Sequence, residues 1–382
     1  MQRVTEGGVP SPASGQNAPG LGKTFLDDIF RGDLKRTLRR DLLDLYYFYL
    51  DEEARKRITH MGAVHKIFSV SWWLLKSLIL KLPPLRRLMF LLSIWFFLMG
   101  DINFTRQEFR LDIHMGLVSF LIVLVILMLE LKDKLLARDE LAVGRTVQLA
   151  LMPTANPELE GWDIWLFTRP ANDVGGDLVD SIGLKDGRLG LVLGDVSGKG
   201  LGAALLMAKL QSTLRALATE AGSLADLGAH VNRILCRDGL PGRFATLVFL
   251  EIGAGSGEVR LLNAGHMPPY AIRDGVFDSL SPVAPVVGIL PEATYVEQKM
   301  ELAQGSLLLV YSDGLTEAMD RRDEFFGEER LQALLPGLSK LTARAAGERL
   351  LTEVARFVGD ERYNDDLSLV VLKRGEKPAA GS

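Results

Sequence analysis

The chain has 382 residues, 44 of them basic and 48 acidic, for a net charge of −4. That length admits two or three domains of roughly 100–200 residues each, and nothing in the global charge suggests a nucleic-acid partner, a local basic patch aside. A single cysteine, Cys236, excludes an internal disulfide and a cysteine-built metal cage. The five histidines are scattered and form no H-E-x-x-H pattern, so carboxylates must do most of the ligation of any bound metal.

Residues 1–22 are rich in Gly, Pro, Ser and Ala and read as a disordered tail without the apolar run of a signal peptide. From 23 to 82 the chain reads as an amphipathic helical region. "FLDDIFRGDLKRTLRRDLLDLYYFYLDEEARKR" (25–57) carries apolar residues at helical spacing among dense charge, and "IFSVSWWLLKSLIL" (67–80) reads as an interfacial segment.

Residues 83–131 contain two uncharged runs, "LMFLLSIWFFLMG" (88–100) and "MGLVSFLIVLVILML" (115–129). Each is slightly shorter than the roughly 20 residues a spanning helix needs, but flanking Arg86, Arg87, Lys132 and Lys134 can snorkel and lengthen them. The expectation is a two-helix membrane hairpin around the polar connector 101–112. A soluble helical bundle with an apolar core is the alternative. Lys81, Arg86, Arg87, Lys132, Lys134 and Arg138 place both hairpin ends in the cytoplasm, modestly offset by two arginines in the connector. The expected location is the inner (cytoplasmic) membrane, with the C-terminal domain in the cytoplasm.

Residues 132–153 continue as one helix that Pro153 ends. Leu131, Leu135, Leu136, Leu141, Val143, Val147 and Leu151 recur at near-helical spacing, which fits either a homodimeric coiled coil or a linker helix packed on its own domain.

From 154 to 375 the texture is α+β, with a short tail at 376–382. Strand-like runs fall at 163–170, 188–196, 244–252, 258–265, 269–275, 306–314 and 367–373. Helical stretches fall at about 198–220, 223–237, 328–336 and 342–358. "AGSG" (254–257) reads as a hairpin turn. Strands outnumber helices and the helices cluster, so the expectation is sheets flanked by helices rather than a βαβ repeat.

Four acidic sites share one context, an apolar strand running into Asp at a turn: "VGGDLVD" (174–180), "LVLGDVSGKG" (191–200), "LLLVYSDGLTEA" (307–318) and "RYNDDLSLVV" (362–371). Asp-Gly turns are common, but four such turns on neighbouring strands would gather their carboxylates at one sheet edge. Gathered carboxylates repel one another, and hard divalent cations with oxygen ligands remove that repulsion. Two such ions can aim a water at a phosphorus or carbonyl centre without a protein nucleophile. Spacing alone thus points to a carboxylate-ligated metallohydrolase. "GDVSGKG" lacks the Gly and Ser/Thr of a nucleotide-binding loop. Ser197 reads as the cap of the following helix, Lys199 as a phosphate contact or a solvated residue, and His266 as part of a turn in "NAGHMPP" (263–269) rather than a general acid.

"QLALMP", "VGGDLVD", "GDVSGKG", "NAGHMPP", "YSDGLTEA", "FGEERL" and "NDDLSLVV" occur in the order and spacing of the bacterial type-2C-like serine/threonine phosphatases, and the chain resembles their sporulation stage II E and sigma-factor-regulator subgroup over about residues 146–373. The resemblance implies two antiparallel β-sheets in a sandwich flanked by helices, with two Mn²⁺ or Mg²⁺ at one end. It implies that Asp195 bridges the metals with the Val196 carbonyl beside it, that Asp177 holds the second metal, and that Asp313 and Asp365 hold the first. Asp180 is implied to orient Asp177 or a water, and Asp366 to support the ligands from behind. Leu178 and Val179 replace residues that are often aromatic in this pattern. The implied substrate is phosphoserine or phosphothreonine on a protein such as an anti-sigma-factor antagonist. The alternatives are a non-catalytic phosphoprotein-binding scaffold and a phosphoesterase for nucleotides or small molecules.

Overall fold

The computed structural model describes residues 63–375 apart from 101, 107, 108, 154 and 241. The expectations for the tail 1–22, for the amphipathic helix at 25–57 and for the tail 376–382 lie outside the described residues. The chain divides into two compact units, Met1–Asp133 and Lys134–Ser382.

In the first unit, helix α1 spans Ala63–Lys81 and α2 spans Pro84–Met99. Leu82 and Pro83 separate them and Pro84 opens α2, because proline is tolerated in the first turn of a helix but not in its interior. The Pro-Pro break therefore fixes where α2 starts and places Arg86 and Arg87 in its first turn. Sixteen residues span about 24 Å at 1.5 Å per residue, short of a hydrocarbon core of about 30 Å. The polar connector forms an antiparallel pair, β1 (Ile102–Arg106) with β2 (Phe109–Ile113). Helix α3 follows over Met115–Leu151 and crosses the boundary between the units. Among the described residues it alone is long and apolar enough to cross a membrane, and its most apolar window is 11% buried. Arg86 donates to Glu130 (2.7 Å) and Asp133 (2.5 Å), fastening α2 to α3 at their charged ends.

The second unit is built on two five-stranded antiparallel sheets. One runs β10 (Gln298–Glu301), β7 (Glu258–Ala264), β6 (Ala245–Ile252), β5 (Leu189–Val196), β4 (Leu178–Gly183). The other runs β3 (Trp162–Arg169), β12 (Leu367–Arg374), β11 (Leu307–Tyr311), β8 (Tyr270–Arg273), β9 (Val276–Ser279). "LLLVY" in β11 is apolar throughout because both of its faces are covered. Leu308 and Val310 join Leu191, Leu193, Val248 and Val370 in the core between the sheets. Leu307, Leu309 and Tyr311 face the opposite way, into a core shared with α7 (Gly327–Leu338) and α8 (Ala343–Val358). The first sheet does the same against α4 (Leu201–Leu217) and α5 (Leu224–Asp238). Alternation of side chains along each strand feeds the two cores. The result is the expected sandwich flanked by helices.

Seven strands and four helices fall where the sequence places them, and the hairpin turn at 254–257 joins β6 to β7. Strands β4, β9 and β10 were not anticipated. The end of α3 packs onto this unit: an added Cβ at Gly144 would meet Leu201 at 3.1 Å and Val174 at 3.7 Å.

Candidate active site

Asp195 is the penultimate residue of β5, and its strand pairs through Thr246 in β6. Asp177 immediately precedes β4, and β4 pairs with β5 from Leu178 to Gly194 onward. Antiparallel pairing thus brings Asp177 and Asp195 to the same end of one sheet. In the other sheet, β11 ends at Tyr311 and Asp313 opens a single helical turn, α6 (Asp313–Thr316). Asp365 lies just before β12, whose Leu369 pairs with Tyr311. The four carboxylates predicted from the sequence therefore meet at one end of the sandwich.

Their electrostatics show how close they come. Burial first, then repulsion from Asp313, Asp365 and Asp366, pushes Asp195 up to about 7. Asp313 is pushed up to about 6 by burial, Glu317 and Asp365. Asp177 is held well above the usual carboxylate range by burial and then by Asp195, and its Oδ2 is buried with no hydrogen-bond partner. Buried acceptors are almost always paired, so an orphaned carboxylate oxygen beside two raised carboxylates marks a site short of positive charge. Lys199 supplies some: its Nζ lies 2.9 Å from Asp365 Oδ2 and donates to the Asn364 carbonyl at 2.8 Å.

The backbone comes equally close. A Cβ at Gly176 would sit 2.9 Å from the Val196 carbonyl oxygen and 3.4 Å from Asp195 Oδ1, so glycine lets the Asp177 loop approach that carbonyl. The donor set is hard oxygen throughout, which fits Mg²⁺ or Mn²⁺ in an open, partly hydrated site. Among the described residues no three His, Cys, Asp or Glu side chains close into a ready-made metal cage.

Behind these carboxylates lies a supporting layer. Asp366 accepts from the Ala171 amide through Oδ1 (2.8 Å) and from the Gly176 and Asp177 amides through Oδ2 (2.6 and 3.4 Å), fastening the 171–177 loop to β12. Asp180, on β4, points to α4 instead: Arg215 donates twice to it at 2.7 Å and Gln211 Nε2 once at 2.9 Å. No hydrogen bond joins Asp180 to Asp177 among the described residues. His266 is buried, with Nδ1 2.7 Å from the Thr246 hydroxyl and Nε2 3.1 Å from the Tyr311 carbonyl. Asn263 accepts from the His266 amide. The imidazole spans the ends of β6 and β11, and burial pushes it down to about 4. Ser197 does not cap a helix. Helix α4 begins four residues later, after Gly200, and the Ser197 hydroxyl accepts from the Phe244 amide at 2.9 Å.

Sequence reasoning missed the contacts that seat the linker helix. Gln148 is buried and grips Gly175 at both ends of its amide: Nε2 donates to the Gly175 carbonyl (2.9 Å), and Oε1 accepts from the Gly175 amide (3.0 Å). Gln211 Nε2 also donates to the carbonyl of Leu151, the last residue of α3. The available signal was a glutamine set inside an otherwise apolar stretch, "TVQLALMP".

The helix-flanked double sheet with an acidic cluster at one end is the type-2C phosphatase fold. The family model for stage II sporulation protein E matches residues 185–375, and the chain belongs to that family. It is 31% identical over 281 residues to protein IcfG of Synechocystis, covering 64% of this chain and 43% of that protein. It is 25% identical over 239 residues to phosphoserine phosphatase RsbU of Bacillus subtilis, covering 62% and 70%. The chain therefore spans less than half the length of IcfG. In fold, it matches the SiaA-PP2C domain of Pseudomonas aeruginosa with a TM-score of 0.54 at 18% identity, over 64% of this chain and 99% of that domain.

Proposed function

We propose that the chain is a divalent-metal-dependent protein phosphatase that hydrolyses phosphoserine or phosphothreonine. The observation that carries this reading is the orphaned, buried Asp177 Oδ2 among the raised carboxylates Asp195 and Asp313. Asp195 and the Val196 carbonyl would lie between two Mn²⁺ or Mg²⁺, with Asp177 on one ion and Asp313 and Asp365 on the other. Such a pair supplies an acidified water and neutralises charge on a phosphoryl group. Asp366 holds the Asp177 loop, and Lys199 keeps a positive charge at the rim beside Asp365. Kinship with RsbU, named a phosphoserine phosphatase, favours a phosphorylated protein substrate, and an anti-sigma-factor antagonist is the proposed one.

The second half of the reading is a membrane-tethered, dimeric enzyme with its catalytic domain in the cytoplasm. Helix α3 is apolar enough to span, while Leu131, Leu135, Leu136, Val143 and Val147 stand exposed along it, a surface that a second copy of the helix would cover. The decisive test is Mn²⁺-dependent hydrolysis of a phosphoserine peptide, p-nitrophenyl phosphate and a nucleotide, with Asp195→Ala as control. Loss of all activity in the variant and preference for the peptide are expected. Equal activity in both proteins would sink the assignment, and preference for the nucleotide would make the enzyme a small-molecule phosphoesterase.

A further inference from the structure

Beside the carboxylate cluster lies an open cleft of about 750 Å³, whose walls come from the end of α3, the 170–174 loop and the segments around Lys199 and Arg362. Its charged groups are Arg145, Lys199 and Arg362 against one carboxylate, Asp173. Lys199 is committed to Asp365. Arg145 and Arg362 are exposed and make no hydrogen bond or ion pair among the described residues. Two uncommitted guanidinium groups thus face a cleft that opens onto a catalytic end crowded with negative charge.

We propose that this cleft seats acidic residues flanking the phosphorylated residue of the substrate protein, with Arg145 and Arg362 reading them. The proposal rests on the protein-phosphatase reading above and names what that enzyme selects. Guanidinium groups offer paired donors that match carboxylates, and they lose less hydration than lysine when they do so. The reach is short. Arg362 is three residues from Asp365, and an extended chain covers at most about 3.6 Å per residue, so the positions read lie within about three residues of the phosphoserine. Arg145 belongs to the linker helix, whose Gln148 grips Gly175 one turn further on. One wall of the specificity cleft is therefore present only when the linker helix is seated on the catalytic domain.

The test uses the full-length protein in detergent with Mn²⁺. Its substrates are a phosphoserine peptide with Asp and Glu at the three positions on each side, the same peptide with Asn and Gln there, and p-nitrophenyl phosphate. The wild-type protein is expected to favour the acidic peptide roughly tenfold in kcat/KM, through KM, with a preference that fades as ionic strength rises. The double variant Arg145→Ala/Arg362→Ala is expected to lose that preference while hydrolysing p-nitrophenyl phosphate at the wild-type rate. The variant Arg145→Glu/Arg362→Glu is expected to favour a lysine-flanked peptide. Equal use of the acidic and amide peptides by the wild-type protein would overturn the proposal. So would a preference that survives in the alanine variant, or loss of p-nitrophenyl phosphate hydrolysis along with it. A wild-type protein that cleaves none of the three substrates would instead overturn the phosphatase reading itself.

Discussion

Replacing Gln148 by leucine isolates the contact between the linker helix and the Asp177 loop. Leucine keeps the helix propensity and much of the volume but removes two hydrogen bonds, at 2.9 and 3.0 Å, and leaves the amide and carbonyl of Gly175 without partners in a buried setting. A buried backbone group left unpaired costs about 1–3 kcal/mol, and part of that is recovered by relaxation toward water. For two groups, about 2–4 kcal/mol is a reasonable net loss for the seated state, which corresponds to roughly 30-fold to 1000-fold in its local opening equilibrium. Hydrogen–deuterium exchange over 171–177 reads this directly, and the Gly175 amide should lose protection by that factor. Turnover should fall in parallel, because Asp177 rides on the same loop. Global stability should change little, since the sheet cores do not include Gln148. Unchanged protection at Gly175, with wild-type turnover, would refute the idea that this glutamine seats the loop.

Asp195→Asn should lower Mn²⁺ affinity and abolish turnover, yet raise the thermal midpoint of the metal-free protein, because it removes one of the mutually repelling carboxylates; a lower midpoint, measured by calorimetry in chelator, would contradict this. Arg215→Ala should destabilise the fold by about 1–3 kcal/mol, because Asp180 would stay buried with less compensation. The figure lies below the usual loss for a buried pair because Arg215 is half exposed. Urea unfolding checks that value, and no change would show Gln211 to be sufficient. His266 titrates near 4 in the fold against an ordinary value of 6.5. The folded protein therefore binds fewer protons than the unfolded chain between those values. Its contribution is complete above pH 6.5 and is lost as pH falls through 4, about 3 kcal/mol in all. His266→Asn should flatten the pH dependence of the urea midpoint over that window, and an identical slope would exclude this origin.

The catalytic-domain strands were legible where both faces are covered. "LGLVLGDV", "ATLVFLEI" and "LLLVY" are nearly continuous apolar runs because a second sheet lies on one side and helices on the other. Strands β9 and β10 escaped notice because they lie at sheet edges and are partly polar, as "VFDS" and "QKME" show. Strand β4 was hidden by Asp180, an acid that is 1% exposed because Arg215 and Gln211 meet it from a helix more than thirty residues away. The four acidic turns were visible in the sequence because each couples a strand end to local turn chemistry. Gln148, Gln211 and Arg215 gain their roles only through packing between distant segments, which no local pattern encodes. Ser197 was misread for the converse reason. Its neighbourhood looks like a helix start, but the backbone runs on through Gly198 and Gly200, both with positive φ, before α4 begins.

These distant contacts give the end of α3 two handles on the carboxylate cluster. Gln148 holds Gly175, and Asp366 holds Gly176 from the opposite sheet, so the Asp177 loop is fixed only while both grips close. Gln211 shares one amide group between the Leu151 carbonyl and Asp180, so the helix terminus is also tied to the middle of β4. A shift of α3 by even one residue along its axis, about 1.5 Å, would stretch hydrogen bonds of 2.7–2.9 Å beyond useful length. The loop carrying Asp177 would then have only Asp366 to hold it. Upstream on the same helix, Val143 and Val147 remain exposed. Anything that covers those residues acts within two turns of Gln148, close enough to favour or disfavour the seated helix without touching the carboxylates.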